Sequence, residues 1–118
     1  MKQPVAKISK SDIERIILRD FTPDEKEVVY NLLNKYSGDS SSGTYRVWAS
    51  LLKLSEGKIK ELKNIIETAI VDYRDIIAAG EYPEYSKKVG FNSEKFGRKE
   101  LKQIIKADSN QFQNWLKQ

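Results

Sequence analysis

The stretch Asp72-Tyr73-Arg74-Asp75 is the densest group of polar side chains on a predicted helix, and carboxylate chemistry would have to begin there. Two carboxylates one helical turn apart can share a proton or bind a divalent cation. Helical spacing, however, places Asp72 and Asp75 toward solvent, where carboxylates keep ordinary acidity and supply too few ligands for a hard cation. We therefore interpret this group as a solvated helix face, with Tyr73 on the opposite, core-facing stripe.

The composition removes most other routes to catalysis. The 118 residues include no histidine and no cysteine. The common zinc sites, Ser-His-Asp triads and thiol nucleophiles all need one of these residue types. We therefore expect no enzyme activity, no cofactor and no metal site.

The net charge of +4 belongs to the C-terminal third, where residues 84–118 carry eight Lys/Arg and four Asp/Glu. Cations alternate there with aromatic residues, a pattern that suits single-stranded nucleic acid or other anionic surfaces. The candidate interaction surface comprises Tyr82, Tyr85, Phe91, Phe96, Lys95, Arg98, Lys99 and Lys102. Two alternatives remain open: the lysines form an ordinary solubilising surface, and the two tyrosines pack over a helix end.

Capping patterns predict where the first two helices begin. Ser11-Asp12-Ile13-Glu14 fits a capping box at the start of helix one. Thr22-Pro23-Asp24-Glu25 combines a capping threonine with proline at the first helical position and two acids near the positive helix end. Gly38 is placed to end helix two.

A glycine and serine run at residues 37–43 predicts a flexible connector. We expect Thr44 to cap helix three, which closes near Gly57. An apolar stripe at three- and four-residue steps then predicts one helix from Ile59 to Gly80. Because the connection between helices three and four is so short, the two are predicted to form an antiparallel αα-hairpin.

Beyond Pro83, which cannot continue a helix, the sequence loses firm periodicity up to Lys99. We expect a partly irregular segment, then a helical turn or two, and a last short helix capped by Asp108-Ser109. Trp115 is expected to dock back on the bundle, since its exposure would leave an apolar patch in water.

These elements predict an all-α protein, a compact helical bundle of about four main helices built on the antiparallel αα-hairpin, plus a C-terminal helical segment. We expect a single domain over residues 1–118, with a bundle core at 11–83 and a basic segment at 84–118 that docks on it. The absence of cysteine and of long apolar runs predicts a cytoplasmic protein with no membrane segment.

The segments Lys53-Leu54-Ser55-Glu56-Gly57, Asp72-Tyr73-Arg74-Asp75 and Glu81-Tyr82-Pro83 carry a resemblance. The chain resembles a family of small uncharacterised all-helical bacterial proteins in which a K-L-(S/A)-x-G turn leads to a helix ending in D-Y-R-D and E-Y-P. The resemblance is best over 46–85 and extends loosely to a terminal Q-(F/Y)-Q-x-W-L. Lys58 departs from the acid that the pattern places at the start of helix four. The resemblance implies a helical domain and transfers no functional residue.

From these observations we expect a non-enzymatic protein-interaction or scaffolding module with a protein partner. The alternative is weak nucleic-acid binding through the basic C-terminal third. Self-association as a homo-oligomer, through any uncovered part of the stripe on helix four, is a further option.

Overall fold

The computed structural model describes residues 5–38 and 41–118, apart from the side chains of residues 41 and 42. Helices account for the regular structure in these ranges, which contain no strand, so the all-α prediction is confirmed. The α-helices are α1 (Lys10–Asp20), α2 (Lys26–Leu33), α3 (Ser41–Ser55), α4 (Ile59–Val71), α5 (Tyr73–Glu81), α6 (Pro83–Lys88) and α7 (Arg98–Lys117). Single 3₁₀ turns occupy Pro23–Glu25 and Ser93–Lys95. None of these helices combines the length and apolar composition needed to cross a bilayer.

Helix α3 lies at the centre of the bundle and packs against α1, α4 and α5. Every residue from 47 to 52 is buried, as expected for a helix covered on all sides. Trp48 is 8% exposed, and its indole N–H donates to the main-chain oxygen of Tyr36 at 3.1 Å. Residues 56–58 connect α3 to α4, and the two helices contact each other. The antiparallel geometry of this pair stays a prediction.

The prediction of one continuous helix from Ile59 to Gly80 is wrong, because the chain breaks at Asp72. The backbone of Asp72 is extended, with φ −155° and ψ 100°, and its carboxylate accepts the N–H of Arg74 at 3.0 Å. Aspartate favours a helix cap over a helix interior, so it ends α4 and caps α5. The break rotates Tyr73 away from the core, where we had placed it, and leaves it 46% exposed.

The start of the first helix differs from the predicted one, whereas Thr22 and Pro23 open the second at the predicted position, with the Thr22 N–H donating to Glu25 Oε1 at 3.0 Å. The capping box of α1 uses Ser9 and Asp12: the Ser9 N–H donates to Asp12 Oδ2 at 2.9 Å, and the Asp12 N–H donates to Ser9 Oγ at 3.1 Å. The box predicted two residues later is therefore wrong. Pro23 opens a 3₁₀ turn that leads into α2, and α2 ends at Leu33, before Gly38.

Helix α3 begins at Ser41, inside the predicted connector, so Thr44 does not cap it. Thr44 lies in the first turn of the helix, and its hydroxyl accepts the N–H of Gly38 at 2.8 Å. Part of the predicted connector, residues 39 and 40, lies outside the described residues. Lys58 precedes α4 and gives it no side-chain cap.

The C-terminal third is more regular than predicted, because α7 is one helix of 20 residues. Asp108 lies in its middle and does not cap a separate last helix. Phe112 and Leu116 join the same hydrophobic cluster as residues of α1 to α5. Two arginines of α1 hold the end of α7: Arg15 donates to the Leu116 oxygen at 2.6 Å, and Arg19 donates to the Trp115 oxygen at 2.7 Å. Cations suit a helix C-terminus, where carbonyl oxygens lack helical partners.

Candidate interaction surface

Phe91 lies in the connection between α6 and α7, and its side chain is 101% exposed. The preceding Val89 is 1% exposed and anchors the connection, while Gly90 has a φ of 54° that turns the chain outward. The N–H of Asn92 donates to the Val89 oxygen at 2.9 Å, which closes the turn around Phe91. A defined turn therefore holds the aromatic ring in solvent.

All four predicted cations are exposed and lie in the residues that follow Phe91. Lys95 ends the second 3₁₀ turn, and Arg98, Lys99 and Lys102 lie on the first turns of α7. Arg98 and Lys99 are next to the positive end of the helix dipole, where cations are unfavourable, and Gly97 supplies no side-chain cap. Helix stability therefore does not account for these cations.

The other three aromatic residues of the predicted surface are partly buried. Phe96 lies in a groove with Ile104 of α7. Tyr82 follows α5 directly, its N–H donating to the Ala78 oxygen at 3.2 Å, and burial raises the pKa of its phenol. The exposed surface thus consists of Phe91 and the four cations, whereas Tyr82, Tyr85 and Phe96 are each partly buried. We call Phe91, Lys95, Arg98, Lys99 and Lys102 the basic tip.

Asp108 fixes α6 against α7 and so positions the start of the basic tip. Its carboxylate accepts the N–H of Glu84 at 3.0 Å and that of Tyr85 at 2.9 Å. These are free amides of the first turn of α6, so an aspartate from another helix caps α6. Gln111, one turn later on α7, donates through its side-chain amide to the oxygens of Gly80 and Glu81 at 3.3 and 3.2 Å.

Glu81 is a buried carboxylate that no charge or spacing pattern had marked as a site residue. It is 5% exposed and receives two hydrogen bonds from Arg46 of α3. The pKa of Arg46 lies above its ordinary value, chiefly because of these bonds. Glu81 and Asp108 both line a cavity of about 30 Å³, room for one or two waters at most. Since both carboxylates are already engaged, this cavity offers neither a free base nor a substrate site.

The Asp72 and Asp75 face, where we considered carboxylate chemistry, is taken up by local contacts. The Arg74 guanidinium pairs with Asp72 at 2.9 Å, and this pairing holds the pKa of Asp72 below its usual range. Asp75 is exposed. Across residues 5–38 and 41–118, no three carboxylates converge on a point that could hold a metal ion.

The α4–α5 break exposes the apolar residues Ile70, Val71 and Tyr73. Ile70 and Tyr73 belong to the stripe through which we considered self-association, and Val71, the last residue of α4, lies beside them. Val71 is the most exposed of the three, at 87%. Homo-oligomer formation through them stays a prediction.

No protein-family model matches the chain, and neither a curated protein nor a solved structure matches it at a significant level. The resemblance to small all-helical bacterial proteins therefore stays a prediction.

Sequence reasoning missed Asp108 and Glu81 as the residues that organise the C-terminal third. Neither residue lies in a local pattern that identifies its partner. Arg46 and Glu81 are 35 residues apart in the sequence, and Glu84 and Asp108 are 24 apart. The available indication was the helical spacing of Asp108 with Ile105 and Phe112, which places an aspartate on the apolar side of the helix, where it needs a partner.

Proposed function

We propose that the protein is a non-catalytic protein-interaction module that binds an acidic partner through the basic tip. The observation that carries this proposal is the complete exposure of Phe91 on a defined turn. Leaving a phenylalanine in water forgoes about 1.5–3 kcal/mol of burial, so the stability of this chain does not explain its position. Aromatic anchors of this kind fill pockets on partner proteins and dominate the binding energy there.

The charge around Phe91 defines the chemistry of the partner. Lys95, Arg98, Lys99 and Lys102 are exposed, and none of them forms an ion pair within the described ranges. A complementary surface would present an apolar pocket flanked by carboxylates. Charges at the rim of an interface mainly accelerate association and select the partner.

Single-stranded nucleic acid is the second candidate, because a ring among cations is also the arrangement on which bases stack. The burial of Phe96 weakens this candidate. Two rings, Phe91 and Phe96, would have offered successive stacking platforms, but Phe96 faces the groove along α7. With one platform and a mixed-charge surface that includes Glu94 and Glu100, an acidic protein is the better match.

Photo-crosslinking in the cells that produce the protein tests both candidates. A photoreactive amino acid replaces Phe91, and the matched control carries it in place of Leu18 of α1, which is 56% exposed. We expect one protein to crosslink repeatedly from position 91 and not from position 18, and purified Phe91→Ala protein to lose binding to it. A nuclease-sensitive product would favour nucleic acid. The absence of any product above the Leu18 control would overturn the proposal.

Once a partner has been identified, charge variants test how the four cations of the basic tip contribute to binding. Replacing Lys95, Arg98, Lys99 and Lys102 by glutamine should slow association and weaken its dependence on salt. The matched control replaces Lys60 and Lys63, exposed lysines on α4. An equal effect of both sets would mean that overall charge, and not the basic tip, drives binding.

A further inference from the structure

The ends of three helices meet around one open cleft of about 550 Å³. Arg19 and Asp20 end α1, Lys53 lies in the last turn of α3, and Trp115 and Gln118 lie at the end of α7. These residues are far apart in the sequence, yet they line the same cleft. The cleft does not include any residue of the basic tip.

A strained turn forms one edge of the cleft. Glu56 has a φ of 52°, a left-handed conformation that a residue with a side chain rarely adopts. Gly57 follows with a φ of 76°, and a Cβ atom there would lie 2.7 Å from the main-chain oxygen of Asp20. The turn between α3 and α4 is therefore pressed against the end of α1, which fixes the position of Lys53 relative to α1.

Arg19 already has partners for its guanidinium, and Lys53 does not. The Arg19 guanidinium donates to both Asp20 carboxylate oxygens, at 2.7 and 2.9 Å, and to the Trp115 oxygen, and it lies 5.1 Å from the centre of the Trp115 ring. The Lys53 amine forms no hydrogen bond or ion pair within residues 5–38 and 41–118, although the side chain is about half-buried. It is thus an amine held at a cleft with no structural partner.

The environment of Lys53 favours the neutral amine. Burial lowers the pKa of Lys53, and the charge of Asp108 opposes this only in part. The other charged groups lining the cleft are Arg19 and Asp20 from α1 and Glu56 after α3. Arg19 and Asp20 pair with each other, which leaves the exposed Glu56 as the unpaired charge at the edge of the cleft and disfavours anionic ligands there.

We propose that the Lys53 amine is a nucleophilic site that forms an imine with small uncharged carbonyl compounds entering this cleft. The Nζ lone pair attacks the carbonyl carbon, and the carbon–oxygen π pair moves to oxygen. Two protons pass from the nitrogen to the oxygen through solvent, the oxygen leaves as water, and the nitrogen lone pair completes the C=N bond. The step is reversible and consumes no oxidant or reductant. The indole of Trp115 supplies an apolar wall for the carbon part of the ligand.

Reductive ethylation of the folded full-length chain with acetaldehyde and cyanoborohydride tests the proposal, because the reductant traps each imine as an ethylamine. Peptide mass spectrometry then gives a rate for each lysine. At pH 7 we expect Lys53 to react several-fold faster than exposed Lys60, with the advantage closing near pH 10, where lysine amines in general lose their protons. In urea the advantage should disappear, since it depends on the fold.

Two variants complete the experiment. Lys53→Arg should remove the fast-reacting site, and the matched Lys60→Arg should leave it intact. The proposal is overturned if Lys53 in the unaltered protein reacts no faster than Lys60 at any pH. That comparison needs no variant, so it holds even if Lys53→Arg folds poorly, and it is independent of any result at the basic tip.

Discussion

Arg46 of α3 and Glu81 of α5 form a bidentate ion pair, with Nε to Oε2 at 2.7 Å and Nη2 to Oε1 at 3.0 Å. Glu81 is almost fully buried, whereas the Arg46 side chain is 24% exposed. The pair therefore connects two core helices through one desolvated carboxylate. Removing Arg46 would leave this charge without its partner.

Arg46→Ala should accordingly lower the free energy of unfolding by about 2–4 kcal/mol, somewhat less than for a fully buried pair because Arg46 reaches solvent. Urea denaturation at neutral pH measures the change. The control is Lys88→Ala, which breaks an exposed pair with Glu84 and should cost under about 1 kcal/mol. A similar cost for both variants would mean that the Arg46–Glu81 pair is solvated in solution.

Asp108→Ala should release the N-terminus of α6, because the amides of Glu84 and Tyr85 lose their acceptor. We expect a loss of about 1–3 kcal/mol, the cost of leaving buried donors unpaired. Hydrogen exchange should speed up at these two amides before it does so in α3. Asp108→Asn keeps one acceptor oxygen, so its stability should lie between those of Asp108→Ala and the unaltered protein. Ser109→Ala is the neighbouring control, and an equal effect there would contradict the capping role.

The break at Asp72 changes which substitutions matter in this region. Asp72→Ala removes the cap of α5 and should lower the unfolding temperature, whereas the exposed control Asp75→Ala should change it little. Trp48→Ala should cost about 3–5 kcal/mol as a buried large-to-small change. Tyr73→Ala should cost much less, since Tyr73 is 46% exposed. Thermal unfolding of the four variants ranks their losses of stability. Equal losses for Tyr73→Ala and Trp48→Ala would mean that Tyr73 is buried and that the helix continues through Asp72.

The region around Asp72 shows which structural features can be predicted from the sequence and which cannot. The apolar stripe of residues 59–80 predicted the helical content correctly, because periodicity reports which residues face a core. It could not locate the break, since Ile66 and Ala69 before Asp72 and Ile76 and Ile77 after it are all buried. The capping preference of aspartate was the available local indication. Contacts such as Glu84 with Asp108 depend on how distant helices pack, and no local pattern encodes them.

The contact between α3 and α5 depends on two small residues. A Cβ atom at Gly80 would lie 2.6 Å from Ser50 Oγ and 3.1 Å from Ser50 Cα, so Gly80→Ala must push the helices apart. We expect it to cost about 1–3 kcal/mol through overpacking. Ser50 Oγ is buried and has no hydrogen-bond partner in the described residues. Ser50→Ala should therefore be neutral or stabilising, since it removes an unsatisfied polar atom. Chemical denaturation of both variants tests the pair, and a marked loss with Ser50→Ala would reveal a partner for the hydroxyl.

Lys53 gives a prediction for the pH dependence of stability. Its folded-state pKa is lowered by burial, so between the folded and unfolded pKa values the unfolded chain binds more protons. The penalty for burying the ammonium is fully present below the folded pKa and is lost as the pH rises toward the unfolded value of about 10.4. Lys53→Met, which keeps the aliphatic packing, should therefore be more stable than the unaltered protein at pH 6, and the difference should shrink toward pH 10. Urea denaturation of both proteins at several pH values isolates this effect, because all other titrating groups are shared. A difference that grows with pH would mean that the ammonium form is stabilised by the three helix ends, and that Lys53 serves as their counterion.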